Sequence, residues 1–161
     1  MKYKALILLI CALFLSACAA NAAPATEPNL QIGNPWRNYD SMAEAIDICG
    51  LAFPLPEKVG DFTADSYRVM NAQLLEVIYR FGEDAVIVRM QAGENLDLSG
   101  VYMDAVHTET IDLNGASVTI SQLDTGCLHL ISKEGYSYSL YAPNGYQNEA
   151  DRKFLSFICK P

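Results

Sequence analysis

Positive charge is scarce in this chain. Eleven Lys plus Arg stand against 19 Asp plus Glu, a formal net charge of −8, and no run of Lys or Arg occurs anywhere. An acidic protein without a basic patch is excluded from nucleic acid and from anionic lipid headgroups, because both are held through counterion release and surface potential. Histidine is rarer still, with His107 and His129 the only two. There is no Ser-His-Asp arrangement, no glycine loop suited to phosphate and no paired metal-ligand spacing, so the sequence offers no catalytic apparatus, no metal centre and no cofactor site. Nor does any apolar run approach the roughly 20 residues that span a bilayer as a helix; the N-terminal run, Ala5 to Leu15, has 11.

What that run does have is order. Lys2 and Lys4 precede it, and Leu15-Ser16-Ala17-Cys18 closes it with small residues. Positive start, apolar core and small-residue cleavage site are the grammar of a secretory signal. The cysteine at its end resembles the lipobox of bacterial lipoproteins, in which cleavage precedes the cysteine and its thiol is acylated. Residues 1–17 are therefore expected to be a lipoprotein signal peptide, and Cys18 the lipidation site and the membrane contact. Ala19 resembles the residue type that permits sorting to an outer membrane where the host has two. The expected location is the cell envelope, anchored by lipid and facing the extracytoplasmic side. The alternative is an ordinary signal cut near Ala20 to Ala23.

Cleavage before Cys18 leaves 144 of the 161 residues, with nine Lys plus Arg against 19 Asp plus Glu. That length is enough for one domain with a core of its own. Residues 18–34 read as the lipidated cysteine and a flexible tether, rich in Ala, Pro and Asn, whose extended reach is roughly 50 Å. Residues 35–161 read as a single α+β domain.

Within it, Ser41 with Glu44 three residues on predicts a helix start. Met42, Ala45, Ile46 and Cys49 make one apolar stripe, and Gly50 a stop. From Phe62 to Ala142 the period becomes two. Leu75, Val77, Tyr79 and Phe81 alternate with Glu76, Ile78 and Arg80, and Val86, Val88 and Met90 with Ile87 and Arg89. Asn114-Gly115 between alternating runs is a strong hairpin signal, and Lys133-Glu134-Gly135 marks another turn. The expected fold is an antiparallel meander of about six or seven strands. An N-terminal helix and a C-terminal one, from Glu149 to about Cys159 with Asn148 as cap, should lie side by side on one face. Residues 91–103 are the one long interruption.

Three cysteines remain in a compartment that permits a disulfide. Sequence cannot choose the pair, although Cys49 and Cys159, each near a helix end, are the favoured partners. Asp124-Thr125-Gly126 matches an aspartic-protease triplet by letters, but it has no second copy and sits where a turn is expected. Cys127 and His129 share one face of a strand and could serve a thiol enzyme or half a zinc site. With no clustered third ligand, Cys127 is expected to pack and His129 to lie at the surface. Tyr136, Tyr138, Tyr141 and Tyr146 suggest a stacking platform, or the wet rim of a core.

Several short segments resemble a known pattern: Asn34-Pro35-Trp36; Gly50 to Pro56; Glu76 to Tyr79; Arg89 to Gly93; Leu98 to Tyr102; and Gly135 to Ser139. Together they are similar to an uncharacterised family of secreted, often lipid-anchored bacterial domains. The resemblance implies fold and location and lends no catalytic residue. Met90 stands where that family usually has a second base and Val101 where an acid is common, which implies weaker charge pairing between this strand and the following loop. Asn95, Asp97, Ser99, Gly100 and Tyr102 are the candidate binding loop, since long loops in short-turn folds are often functional. The expected function is a non-catalytic binding or envelope-accessory domain with an envelope protein or a cell-wall ligand as partner. The alternatives are a sensor or anti-sigma-type accessory domain, and third a thiol enzyme built on Cys127 and His129.

Overall fold

The computed structural model describes residues 33–52, 54–143 and 148–161, without the side chains of 148–150. The signal, Cys18, the tether up to residue 32, Phe53, Tyr146 and the Asn148 cap lie outside the described residues or side chains. The chain runs β1 (Trp36–Tyr39), α1 (Met42–Cys49), β2 (Lys58–Val59), β3 (Phe62–Met70), β4 (Leu74–Phe81), β5 (Asp84–Ala92), β6 (Ala105–Leu113), β7 (Ala116–Leu123), β8 (Cys127–Lys133), β9 (Tyr136–Ala142) and α2 (Asn148–Ile158).

The architecture is α+β, an antiparallel sheet with two helices, but the sheet has nine strands rather than six or seven. It is also not a simple meander. The spatial order is β1-β3-β4-β5-β9-β8-β7-β6, with β2 also paired to β3. Two local meanders, β3 to β5 and β6 to β9, are sewn together along β5 and β9, where Ile87 faces Tyr141 and Ala92 faces Tyr136.

The strand period of two puts one set of residues on each face. Val69, Leu75, Val77, Val88, Leu140, Ile131 and Val118 line the first face and join Ala45, Phe154 and Ile158 of the helices in one buried cluster. The helices are placed differently from the side-by-side pair expected. Helix α1 lies against β1, β3 and β4, whereas α2 packs at β2 and sets Phe154 edge-on to Tyr79 at 4.9 Å. Ser41 caps α1 by accepting from the Glu44 N–H at 3.2 Å. Gly50 ends it in the left-handed region, φ +62°, where its N–H and that of Leu51 reach the carbonyls of Asp47 and Ile46.

Strands β5 and β6 point the same way with three strands between them. Ala92 ends β5 at the end of the sheet where Leu113 and Lys133 lie, and β6 starts at the opposite end beside Leu123. A connection between strands of like direction must return the full strand height, which takes a dozen or more residues. Residues 93–104 are that return. They run as a strap over the second face: Ser137 Oγ donates to the Gly93 carbonyl and accepts from the Leu96 N–H, while Ser132 Oγ accepts from the Asn95 N–H. The strap is therefore long because the topology demands it.

Candidate functional site

The second face would be solvent-exposed in an ordinary two-layer fold, and the alternation in β4 predicts Glu76 there. The strap changes its environment, and Glu76 is fully buried, 0% exposed. It sits directly opposite Arg68 on β3 and Arg89 on β5. Arg68 donates from Nε and Nη2 to Glu76 Oε1, and Arg89 Nε donates to Oε2 at 2.9 Å. Both oxygens of the buried carboxylate are thus paired, which is the condition for tolerating such a charge. The second arginine leaves one positive charge in excess. Arg89 Nη1 directs it to the Leu98 and Ser99 carbonyls of the strap, and the Trp36 ring lies 5.3 and 5.4 Å from the two guanidinium carbons. The Trp36 backbone N–H donates to Asn34 Oδ1. Arg89 holds the strap through backbone carbonyls and not through an acid at position 101.

The candidate loop residues divide into two kinds. Asp97 Oδ1 accepts from the Ser99 N–H and hydroxyl, and Ser99 Oγ accepts from the Val101 N–H. Gly100 lies at φ +59°, and a Cβ there would stand 2.7 Å from Arg89 Nη1. Asn95 uses its N–H against β8. Asp97, Ser99 and Gly100 thus build the strap. Tyr102, at 98% exposed, is presented by it, with Met103 and Val106 exposed beside it. Strand β6 continues from there as an edge of the sheet among the described residues, exposed from Ala105 to Asp112.

The three described members of the tyrosine group do not form one platform. Tyr136 and Tyr138 share the first face and Tyr141 points to the second, as the spacing of β9 requires. Cys49, Cys127 and Cys159 stand as free thiols, so no bridge joins Cys49 to Cys159 in this structure. Cys49 closes the helix beside β1, β3 and β4, while the Cys159 carbonyl is taken by Asn114 Nδ2 of the β6–β7 turn. Asp124-Thr125-Gly126 is the β7–β8 turn, closed by the Leu123 N–H on the Gly126 carbonyl at 3.1 Å.

Cys127 packs as expected, but His129 does not reach the surface: it is 0% exposed. Asp151, in the first turn of α2 and 1% exposed, descends on the same spot, and ligand-type atoms of the three lie within 4.8 Å of one another. Neither Asp151 oxygen has a hydrogen-bond partner among the described residues. Burial raises the Asp151 carboxyl to about 6. It lowers the His129 imidazole to about 4, partly offset by an interaction with the Leu140 backbone. Burial, and then the Asp151 charge, raise the Cys127 thiol to about 11. An activated cysteine nucleophile needs the opposite trend, a depressed thiol beside a protonated imidazole, so the arrangement gives thiol catalysis no support. Cys127 also lines an open cavity of about 420 Å³ with His107, Glu109 and Gln122. Sequence reading missed Asp151 because an acid on a helix 22 residues beyond His129 carries no local ligand signal.

Among the described residues no helix is long and apolar enough to cross a membrane. No protein-family model, no curated protein and no solved structure matches the chain.

Proposed function

We propose that this chain is a lipid-anchored, extracytoplasmic bacterial lipoprotein whose folded part is a non-catalytic binding or envelope-accessory domain. The signal grammar ending in Cys18 supports the anchor. The presentation of Tyr102 carries the binding reading: a fully exposed aromatic sits on a strap whose base, Leu98 and Ser99, is buried and clamped by Arg89. A preorganised loop loses little entropy when a partner docks, and exposed aromatics on such loops are typical anchors. The bare β6 edge beside it favours a protein partner, in the manner of the sensor-type alternative, because an unpaired strand edge accepts an extended segment through its main chain.

A photo-crosslinking amino acid in place of Tyr102, expressed in the native host, tests the surface. One discrete adduct at position 102, absent when the probe replaces the exposed Phe81 of β4, is the expected result. No adduct, or the same smear from both positions, overturns it. The anchor is read separately from the intact mass of the membrane-extracted protein. A diacylated chain beginning at Cys18 is expected, and an unmodified chain beginning elsewhere removes the lipoprotein reading.

A further inference from the structure

We propose that Cys127, His129 and Asp151 form a binding site for a divalent cation of the zinc type, reached from the cavity beside Cys127. Three different ligand classes converge from two elements. Residues i and i+2 of β8 share a face by strand geometry, and the first turn of α2 brings the carboxylate over them. Thiolate, imidazole and carboxylate together are the donor set that Zn²⁺ prefers over the oxygen-only cages of Ca²⁺ and Mg²⁺.

The distances fit. Donor atoms within 4.8 Å of one another need a contraction of about 1 Å to reach the roughly 3.5 Å separations of a tetrahedral zinc shell. Asp151 supplies the observation that separates a site from ordinary packing. A buried carboxylate is normally paired, and in the first turn of a helix the usual role is to accept from backbone N–H groups. Asp151 does neither among the described residues, and one of its oxygens lies within 4.8 Å of both the thiol and an imidazole nitrogen. A cation gives that carboxylate its partner. Coordination releases the Cys127 thiol proton to water, leaving a thiolate bound to the metal, with His129 bound as the neutral imidazole. The cavity at Cys127 offers access for the ion and leaves room for one further ligand, a water molecule or a group brought by a partner. Sites with three protein ligands and an open position differ in this respect from closed structural sites.

Co²⁺ is the probe of choice, because a cobalt–thiolate bond has a charge-transfer absorption in the near ultraviolet that oxygen or nitrogen ligands do not give. The membrane-extracted mature protein, stripped with a chelator, is titrated with Co²⁺ and then with Zn²⁺. One equivalent of Co²⁺ should produce the thiolate band, and Zn²⁺ should abolish it by displacement. The band should vanish in Cys127→Ser and persist in Cys49→Ser. Asp151→Asn should weaken Zn²⁺ binding at least tenfold. Absence of the band in the wild-type protein overturns the proposal without recourse to any variant, so a substitution that fails to fold does not blunt the test. A band that survives in Cys127→Ser overturns it as well, because the sulfur would then belong to another cysteine.

Discussion

Arg89 and Glu76 face each other across β4 and β5, joined from Nε to Oε2 at 2.9 Å, and the same arginine reaches on to the carbonyls of Leu98 and Ser99. One side chain thereby ties a buried carboxylate to the strap that buries it. Removing Glu76 should leave two guanidinium groups, Arg68 and Arg89, beneath a cover with no anion between them. Glu76→Ala is expected to lower stability by about 3–5 kcal/mol, the usual result of breaking one side of a buried pair, read from the urea midpoint. An unchanged midpoint would mean that the carboxylate contributes nothing.

Gly100 tests the strap from above. Alanine there must hold φ near +59° and place its Cβ against Arg89 Nη1. An alanine held in the left-handed region costs roughly 1–3 kcal/mol. In Gly100→Ala, faster amide hydrogen exchange confined to residues 93–104, with the β3–β4 amides unaffected, is expected.

Tyr79 is wholly buried, and its hydroxyl donates to the Pro56 carbonyl at 2.7 Å, pinning the connection that follows α1. Tyr79→Phe keeps the ring against Phe154 and deletes only that bond. A loss of about 1 kcal/mol is expected, and a loss several times larger would show that the ring itself had moved.

Alkaline pH provides a fourth test. Burial, and secondarily Tyr136, Glu134 and Cys159, raise the Tyr138 phenol from 10 to about 12. A phenol is neutral below its pKa, so the folded state disfavours the anion. Its contribution is complete below pH 10 and is lost as pH rises through about 12, amounting to roughly 2–3 kcal/mol. Tyr138→Phe should abolish that part of the alkaline loss of stability. Equal alkaline slopes in the two proteins would contradict it.

Local signals were legible in the chain and non-local ones were not. Ser41 and Gly50 mark the ends of α1, and Asn114-Gly115 marks a turn whose two residues both take positive φ. Strand β1 reads Trp-Arg-Asn-Tyr, too short and too polar for a period, and β2 has only two residues. Most of β6 shows no apolar alternation because a free edge exposed from Ala105 to Asp112 has no face to bury. The pairing of Ile87 with Tyr141 leaves no trace in either segment, although it decides that a long strap is required. That strap in turn hides Glu76, which alternation alone places in water. His129 was misplaced for a related reason: its cover, Asp151, comes from a helix at the far end of the chain.

The order β5-β9-β8 has a bearing on how the chain is made. Strand β9 is the last to be synthesised, yet it lies in the interior of the sheet. Until residues 136–142 emerge, β5 presents its Val86, Val88 and Met90 row beside an unpaired main chain, and the β6–β8 hairpins have nothing to dock on. An open apolar edge of this kind recruits other strands. The nascent chain is therefore at its most vulnerable just before completion, and a truncation that removes β9 should aggregate rather than fold into a smaller sheet.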